Sequence, residues 1–137
     1  MTVVVDASVM VKWLVPEEYS EEARRLRRAG AEMLAPLHFH AEVANALWKK
    51  VGKKILSDEE ARHLLTVELP VTEFAIPPLL PAAFDIALRH KRTVYDALYV
   101  ALALRERCQL VTADKKLRNS MASAFPGTIL WVEDIPA

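Results

Sequence analysis

TVVVDAS, residues Thr2 to Ser8, decides how the rest of the chain reads. Val3, Val4 and Val5 form an unbroken β-branched run, the pattern of a short strand buried on both faces. Such strands belong to parallel sheets covered by helices. Asp6 ends the run with a carboxylate. In open α/β sheets ligands bind beyond the carboxyl ends of the strands, so Asp6 marks a site if other acids reach the same edge.

Working outward, Ser8 to Leu14 reads as a short helix. Pro16-Glu17-Glu18 opens a second helix, closed by Arg25 to Arg28 and Gly30. Glu32 to Ala35 is the second strand, and His38 to Lys50 is a helix with Val43, Ala46 and Leu47 at helical spacing. Ser57-Asp58-Glu59-Glu60 matches a capping box and starts a helix reaching about Glu68. Val71 to Ile76 is a third strand, stopped by Pro77 and Pro78, and a helix over Ala82 to His90 follows. Thr93 caps a helix from Val94 to about Arg107. Gln109 to Thr112 is a fourth strand, Asp114 begins a short helix through about Ser123, and Thr128 to Val132 is a last strand. Strands alternating with helices imply one parallel sheet between helical layers, joined by right-handed crossovers.

The 137 residues suit a single domain spanning 1–137. A hydrophobic share of 53% with 26% charged residues and three glycines excludes disordered and fibrous classes. Cys108 is the sole cysteine, which rules out an internal disulfide, argues against a cysteine metal site and suits a reducing compartment. The chain enters its first strand at once, without a stretch suited to a signal peptide or membrane span, so a cytoplasmic protein with no membrane contact is expected. Eighteen basic and 18 acidic residues cancel, so net charge advertises no polyanionic partner. Basic residues cluster at Arg24, Arg25, Arg27 and Arg28, at Lys49, Lys50, Lys53 and Lys54, and at Arg89, Lys91 and Arg92. Each cluster falls toward a helix end, where solvated dipole partners and phosphate contacts are both open readings.

Three further acids share the edge that Asp6 marks. Strand carboxyl ends and the amino ends of the following helices lie on one side of a parallel sheet. Asp6 and Asp114 therefore arrive from strands, and Glu42 and Asp96 from helix first turns. Taken singly, each acid has a structural alternative as a helix-dipole partner. Together the four point to a common site.

The neighbours of these acids, DAS (Asp6 to Ser8), EVANAL (Glu42 to Leu47), YDALYVALA (Tyr95 to Ala103) and TADKKL (Thr112 to Leu117), together resemble the PIN domain family, and more closely its small VapC-type toxin nucleases. The resemblance runs from Val3 to about Val132, with the four motifs in family order. It implies a three-layer α/β/α sandwich with a central, mainly parallel sheet of four to five strands, and a metal-dependent ribonuclease. By the same resemblance Asp6, Glu42, Asp96 and Asp114 are the catalytic acids, and Asp6, Asp96 and Asp114 hold Mg²⁺ or Mn²⁺. Ser8, Thr112 and Asn45 fill the supporting polar positions. Some relatives carry one more acid a few residues past Asp114. Here the stretch reads Lys115-Lys116-Leu117-Arg118-Asn119, which leaves a second metal site without its acid and Asn119 as a weak substitute.

Hard divalent cations take oxygen ligands, lower the pKa of bound water and absorb charge on a phosphorane-like transition state. They also relieve the repulsion among crowded carboxylates. The expected activity is endoribonucleolytic cleavage leaving 5′-phosphate and 3′-hydroxyl ends, with water as the attacking group. Lys115 and Lys116 are candidate phosphate contacts. Ser8 either holds a carboxylate or metal-bound water, or caps the helix after Asp6, or both. His38 and His40 lie near Glu42, but no HExxH pattern supports zinc. The aromatics Trp13, Trp48, Tyr95, Tyr99 and Trp131 are expected in core or interface. The expected partners are an RNA substrate, a VapB-type protein antitoxin on grooves of the N-terminal helices and residues 38 to 65, and a second copy in a homodimer. A catalytically silent RNA- or protein-binding module of the same fold is the alternative function. A phosphoacceptor domain would leave YDALYVALA unexplained.

Overall fold

In the computed structural model, which describes residues 1–137, five strands form one sheet in the order β3-β2-β1-β4-β5. They are β1 (Thr2–Val5), β2 (Glu32–Pro36), β3 (Val71–Phe74), β4 (Gln109–Thr112) and β5 (Ile129–Trp131), and every neighbouring pair is parallel. The helices are α1 (Ala7–Leu14), α2 (Ser20–Arg28), α3 (Phe39–Gly52), α4 (Asp58–Leu64), α5 (Leu80–His90), α6 (Val94–Arg105) and α7 (Lys115–Met121). The expected α/β architecture with a parallel sheet is therefore found.

The strand order places the site. The chain winds from β1 through β2 to β3 in one direction and then returns to the other side of β1 with β4 and β5. Winding reverses between β1 and β4, and at such a switch point the flanking connections part to leave a crevice at the strand carboxyl ends. Right-handed crossovers put the helices after β1 and β2 on one face and those after β3 and β4 on the other.

Val3, Val4 and Val5 are all buried, as a central strand covered on both faces requires. The helix α6 crosses β1, β2 and β4, and every residue from Ala97 to Ala103 is buried. That explains why YDALYVALA is apolar all round rather than striped. A core of 32 buried hydrophobic residues joins both layers through the sheet. No helix is long and apolar enough to cross a membrane.

Some boundaries differ from the sequence reading. The helix expected from Pro16 begins at Ser20 because Tyr19 takes a left-handed φ of 67° and Ser20 folds back, its hydroxyl accepting from the Glu17 N–H and donating to the Val15 carbonyl. α4 stops at Leu64 rather than near Glu68, and β3 ends at Phe74 rather than Ile76. α5 starts at Leu80, two residues earlier than expected, after a 3-10 turn over Pro77–Leu79. The Ser57 capping box and the Thr93 cap both form as read.

Candidate active site

Asp6 stands at the carboxyl end of the central strand, only 5% exposed, and both of its oxygens are held. The Ser8 hydroxyl donates to Oδ1 at 2.5 Å, and the Thr112 hydroxyl donates to Oδ2 at 2.5 Å. Each hydroxyl in turn accepts from the loop after β4: Ser8 from the Ala113 N–H at 3.0 Å, Thr112 from the Asp114 N–H at 3.0 Å. A closed polar ring thus stitches the end of β1 to the end of β4 across the switch point. Hydroxyls flank Asp6 for a physical reason, since a buried carboxylate needs donors and these also have lone pairs for the backbone. Burial still dominates, pushing the Asp6 carboxyl up to about 6 against these hydrogen bonds. Asp6 rather than Ser8 caps α1, accepting from the Val9 N–H, so the capping alternative for Ser8 does not hold.

The other acids open onto the same cavity, about 260 Å³ in volume, whose walls include Asp6, Ser8, Glu42, Asn45, Asp96 and Asp114. Asp96 comes from the first turn of α6, where Thr93 caps its N–H at 3.2 Å. Burial raises its carboxyl pKa, with Asp114 and Glu42 adding repulsion, while Arg92 opposes the rise. Glu42 comes from the first turn of α3. Burial alone would raise its pKa, but the His38 imidazole at 3.3 Å and the Tyr99 hydroxyl, donating at 2.7 Å, bring it below the ordinary value. Asp114 caps α7 with one oxygen, accepting from the N–H groups of Lys116 and Leu117, and its other oxygen lies 3.9 Å from Arg92.

Six of the nine site residues named from the sequence therefore line one cleft, and Thr112 supports it from beneath. Lys115 and Lys116 are exposed on α7 and do not line it. Asn119 accepts from Arg118 at 3.3 Å, outside the cleft. As the side chains stand, no three carboxylates, imidazoles or thiols are grouped to hold one ion.

Sequence reasoning missed Arg92, which bonds Asp96 at 2.7 Å and reaches toward Asp114, with its buried Nε left without a partner. Its spacing of four residues from Asp96 was the available signal. Tyr99 and His38, read as core aromatic and failed zinc ligand, instead orient Glu42. Tyr99 is indeed buried, and the His38 ring nitrogen also reaches the Tyr95 carbonyl at 3.0 Å. Arg92 thus holds Asp96, and Tyr99 and His38 hold Glu42, as Ser8 and Thr112 hold Asp6.

Known proteins share the family and the fold. Residues 3–120 match the model of the PIN domain. Among curated proteins, the Pyrobaculum aerophilum protein named Ribonuclease VapC3 is 40% identical over 136 residues, covering 94% of this chain and 98% of its own. Ribonuclease VapC12 of Mycobacterium tuberculosis is 36% identical, over 86% of this chain and 91% of its own. Among solved structures, a toxin-antitoxin complex from Klebsiella pneumoniae contains a chain with the same fold, at TM-score 0.63 and 17% identity, covering 93% of this chain and 95% of that one.

Proposed function

The chain belongs to the PIN domain family, and on that premise we propose that it is a divalent-metal-dependent endoribonuclease, the toxin of a type II toxin–antitoxin pair. The observation that carries this reading is the convergence of Asp6, Glu42, Asp96 and Asp114 on one cleft at the switch point of the sheet. Relatives named as ribonucleases and covered almost end to end support the same activity.

The donor set fits Mg²⁺ or Mn²⁺: all oxygen, all hard, with Asp6 and Asp96 made reluctant to ionise until a cation joins them. When bound, such an ion supplies an acidified water and neutralises charge on the phosphate. Asp6, Asp96 and Asp114 would hold it. Asp6 is the fixed member, since Ser8 and Thr112 pin both oxygens. Asp96 is the adjustable one, since a side-chain rotation frees it from Arg92. Glu42 stays ionised and faces the cleft as an acceptor for water protons. Arg92, once released, has donors to offer a phosphate oxygen at the same spot.

A protein antitoxin is expected to dock on the apolar cavity between α3 and α4, about 360 Å³, whose walls include Leu47, Trp48, Val51 and Leu65. Trp48 is 69% exposed there. A homodimer face is supported by Leu80, Phe84 and Leu88, exposed apolar residues spaced four apart on α5. The presence of all four acids in the walls of one cleft favours the enzyme over the silent module. The proposed RNA substrate and protein antitoxin would both be met in the cytoplasm.

The test is direct. Purified chain with Mn²⁺ is expected to cut cellular RNA to 5′-phosphate ends, and EDTA is expected to stop it. RNA left whole across a broad panel, or cleavage indifferent to EDTA, contradicts the proposal.

A further inference from the structure

A second cavity of about 230 Å³ adjoins the acidic one, and the two share Ser8, Ala46 and Lys49 in their walls. Its charge is opposite. Lys12, Lys49, Lys50 and Lys53 line it, with Glu17 as the one acid. Glu17 is spoken for: Lys12 bonds it at 3.2 Å and Lys50 also donates to it, so all three are locked into a half-buried floor. Lys49 and Lys53 stand exposed on the rim, and no carboxylate in the structure pairs with either.

The arrangement follows from α3 itself. Asn45, Ala46 and Lys49 follow Glu42 at spacings of three, four and seven on one face of α3, and Lys53, the residue that caps its carboxyl end, follows at eleven, so this face runs from the acids to the lysines. Glu42 and Lys53 lie eleven positions apart, roughly 16 Å along the axis. That is room for a few nucleotides. α1 supplies the opposite wall through Ser8, Val11 and Lys12.

We propose that this lysine groove is the track for the RNA backbone leaving the acidic cleft, with Lys49 and Lys53 each contacting one phosphate beside the cleaved bond. The inference rests on the ribonuclease reading of the cleft and adds the path of the substrate to it. Phosphate must approach the acids for hydrolysis, yet four carboxylates repel it; adjacent unpaired lysines give the flanking phosphates a favourable seat. A single strand suits a groove of this kind, because positive side chains along it follow the backbone without reading sequence. An acidic protein segment would be drawn by the same lysines, but it has no reason to lie continuous with a site that needs phosphate.

The test uses the full chain carrying Asp96→Asn, so that RNA is bound without being cut, and compares it with the same chain carrying Lys49→Ala and Lys53→Ala. The probe is a short labelled oligouridylate. Losing two phosphate contacts is expected to lower the slope of log K against log salt by about 1.4 and to weaken binding roughly tenfold at about 0.15 M salt. In the otherwise native chain, the double alanine variant is expected to raise KM for RNA by a similar factor at unchanged kcat, and Lys49→Arg with Lys53→Arg to restore it. An unchanged salt slope with unchanged KM overturns the groove and leaves the nuclease reading standing. A lowered slope, found while the chain with native Asp96 leaves RNA uncut, keeps the groove and removes the nuclease. Loss of antitoxin binding with an unchanged RNA slope overturns the proposal and gives the groove to the protein partner.

Discussion

Asp96→Asn is expected to lower RNA cleavage by on the order of a thousandfold or more while leaving the fold intact, because several kcal/mol of charge stabilisation pass through a metal site that loses one anionic ligand. The substitution is conservative where it matters for folding. The α6 cap is made by the Asp96 backbone N–H and Thr93 Oγ1, not by the Asp96 side chain. The buried residues of α6 from Ala97 to Ala103 are untouched. The main structural loss is the charge on the bond from Arg92, a pair only 21% and 23% exposed, and the amide oxygen of the variant can still accept that bond. Thermal melting within a few degrees of the native chain, together with lost cleavage, is the expected pair of results. Cleavage within tenfold of the native rate would remove Asp96 from the mechanism.

Asp6→Asn is expected to do two opposite things: abolish cleavage, and stabilise the protein when metal is withheld at neutral pH. The sign follows from burial. The Asp6 carboxyl moves from 3.8 in an open chain to about 6 in the fold, so the folded protein favours its protonated form. Stability from this group is fully present below about 3.8 and is lost as pH rises through about 6, roughly 3 kcal/mol in all. Asp96, also raised by burial, acts in the same direction. Glu17 and Glu42 act in the opposite sense, but their contribution is lost only as pH falls below the ordinary carboxylate range. Above the ordinary carboxylate range and up to a little beyond pH 6 the raised acids therefore govern. In EDTA, the native chain should lose stability across that window, whereas Asp6→Asn should lose much less. A mismatch between the amide and one hydroxyl costs about 1 kcal/mol, leaving a net gain of about 1–2 kcal/mol at pH 8. Urea unfolding at pH 5 and pH 8 measures it. An Asp6→Asn chain weakened equally at both pH values would show that the aspartate is structural and that its burial stores no strain.

These expectations draw on parts of the site that were unequally visible in the chain. β1 and β4 were legible because β-branched runs buried on both faces have few other uses, and Gln109 to Thr112 begins and ends where it was read. The four acids were legible because strand ends and helix starts share an edge in any parallel sheet, whatever the distances along the chain. Their partners were not. Tyr99 looks like any buried aromatic until α6 is laid beside α3, and only then does its hydroxyl meet Glu42. Arg92 sits in a cluster with Arg89 and Lys91 that reads equally well as a solvated helix end, and what separates it is a turn back toward Asp96.

The lysines show the same limit from the other side. Lys115 and Lys116 adjoin Asp114 along the chain, yet α7 carries them away from the cleft. Lys49 and Lys53 stand closer to the chemistry because α1 packs against α3, a contact that no local pattern records. The second helix failed at its start for a related reason: Pro16 and two glutamates are good helix openers, but the left-handed turn at Tyr19 is enforced by Ser20 bonding back to Val15.

Titrating the metal-stripped native chain with Mn²⁺, and reading bound against free ion by electron paramagnetic resonance, tests the central claim without relying on any RNA. A saturable site, one per chain, that disappears in both Asp6→Asn and Asp96→Asn is the expected result. Binding of the same strength in the native chain and both variants would mean that these carboxylates do not hold the ion, and the account of the cleft would be wrong.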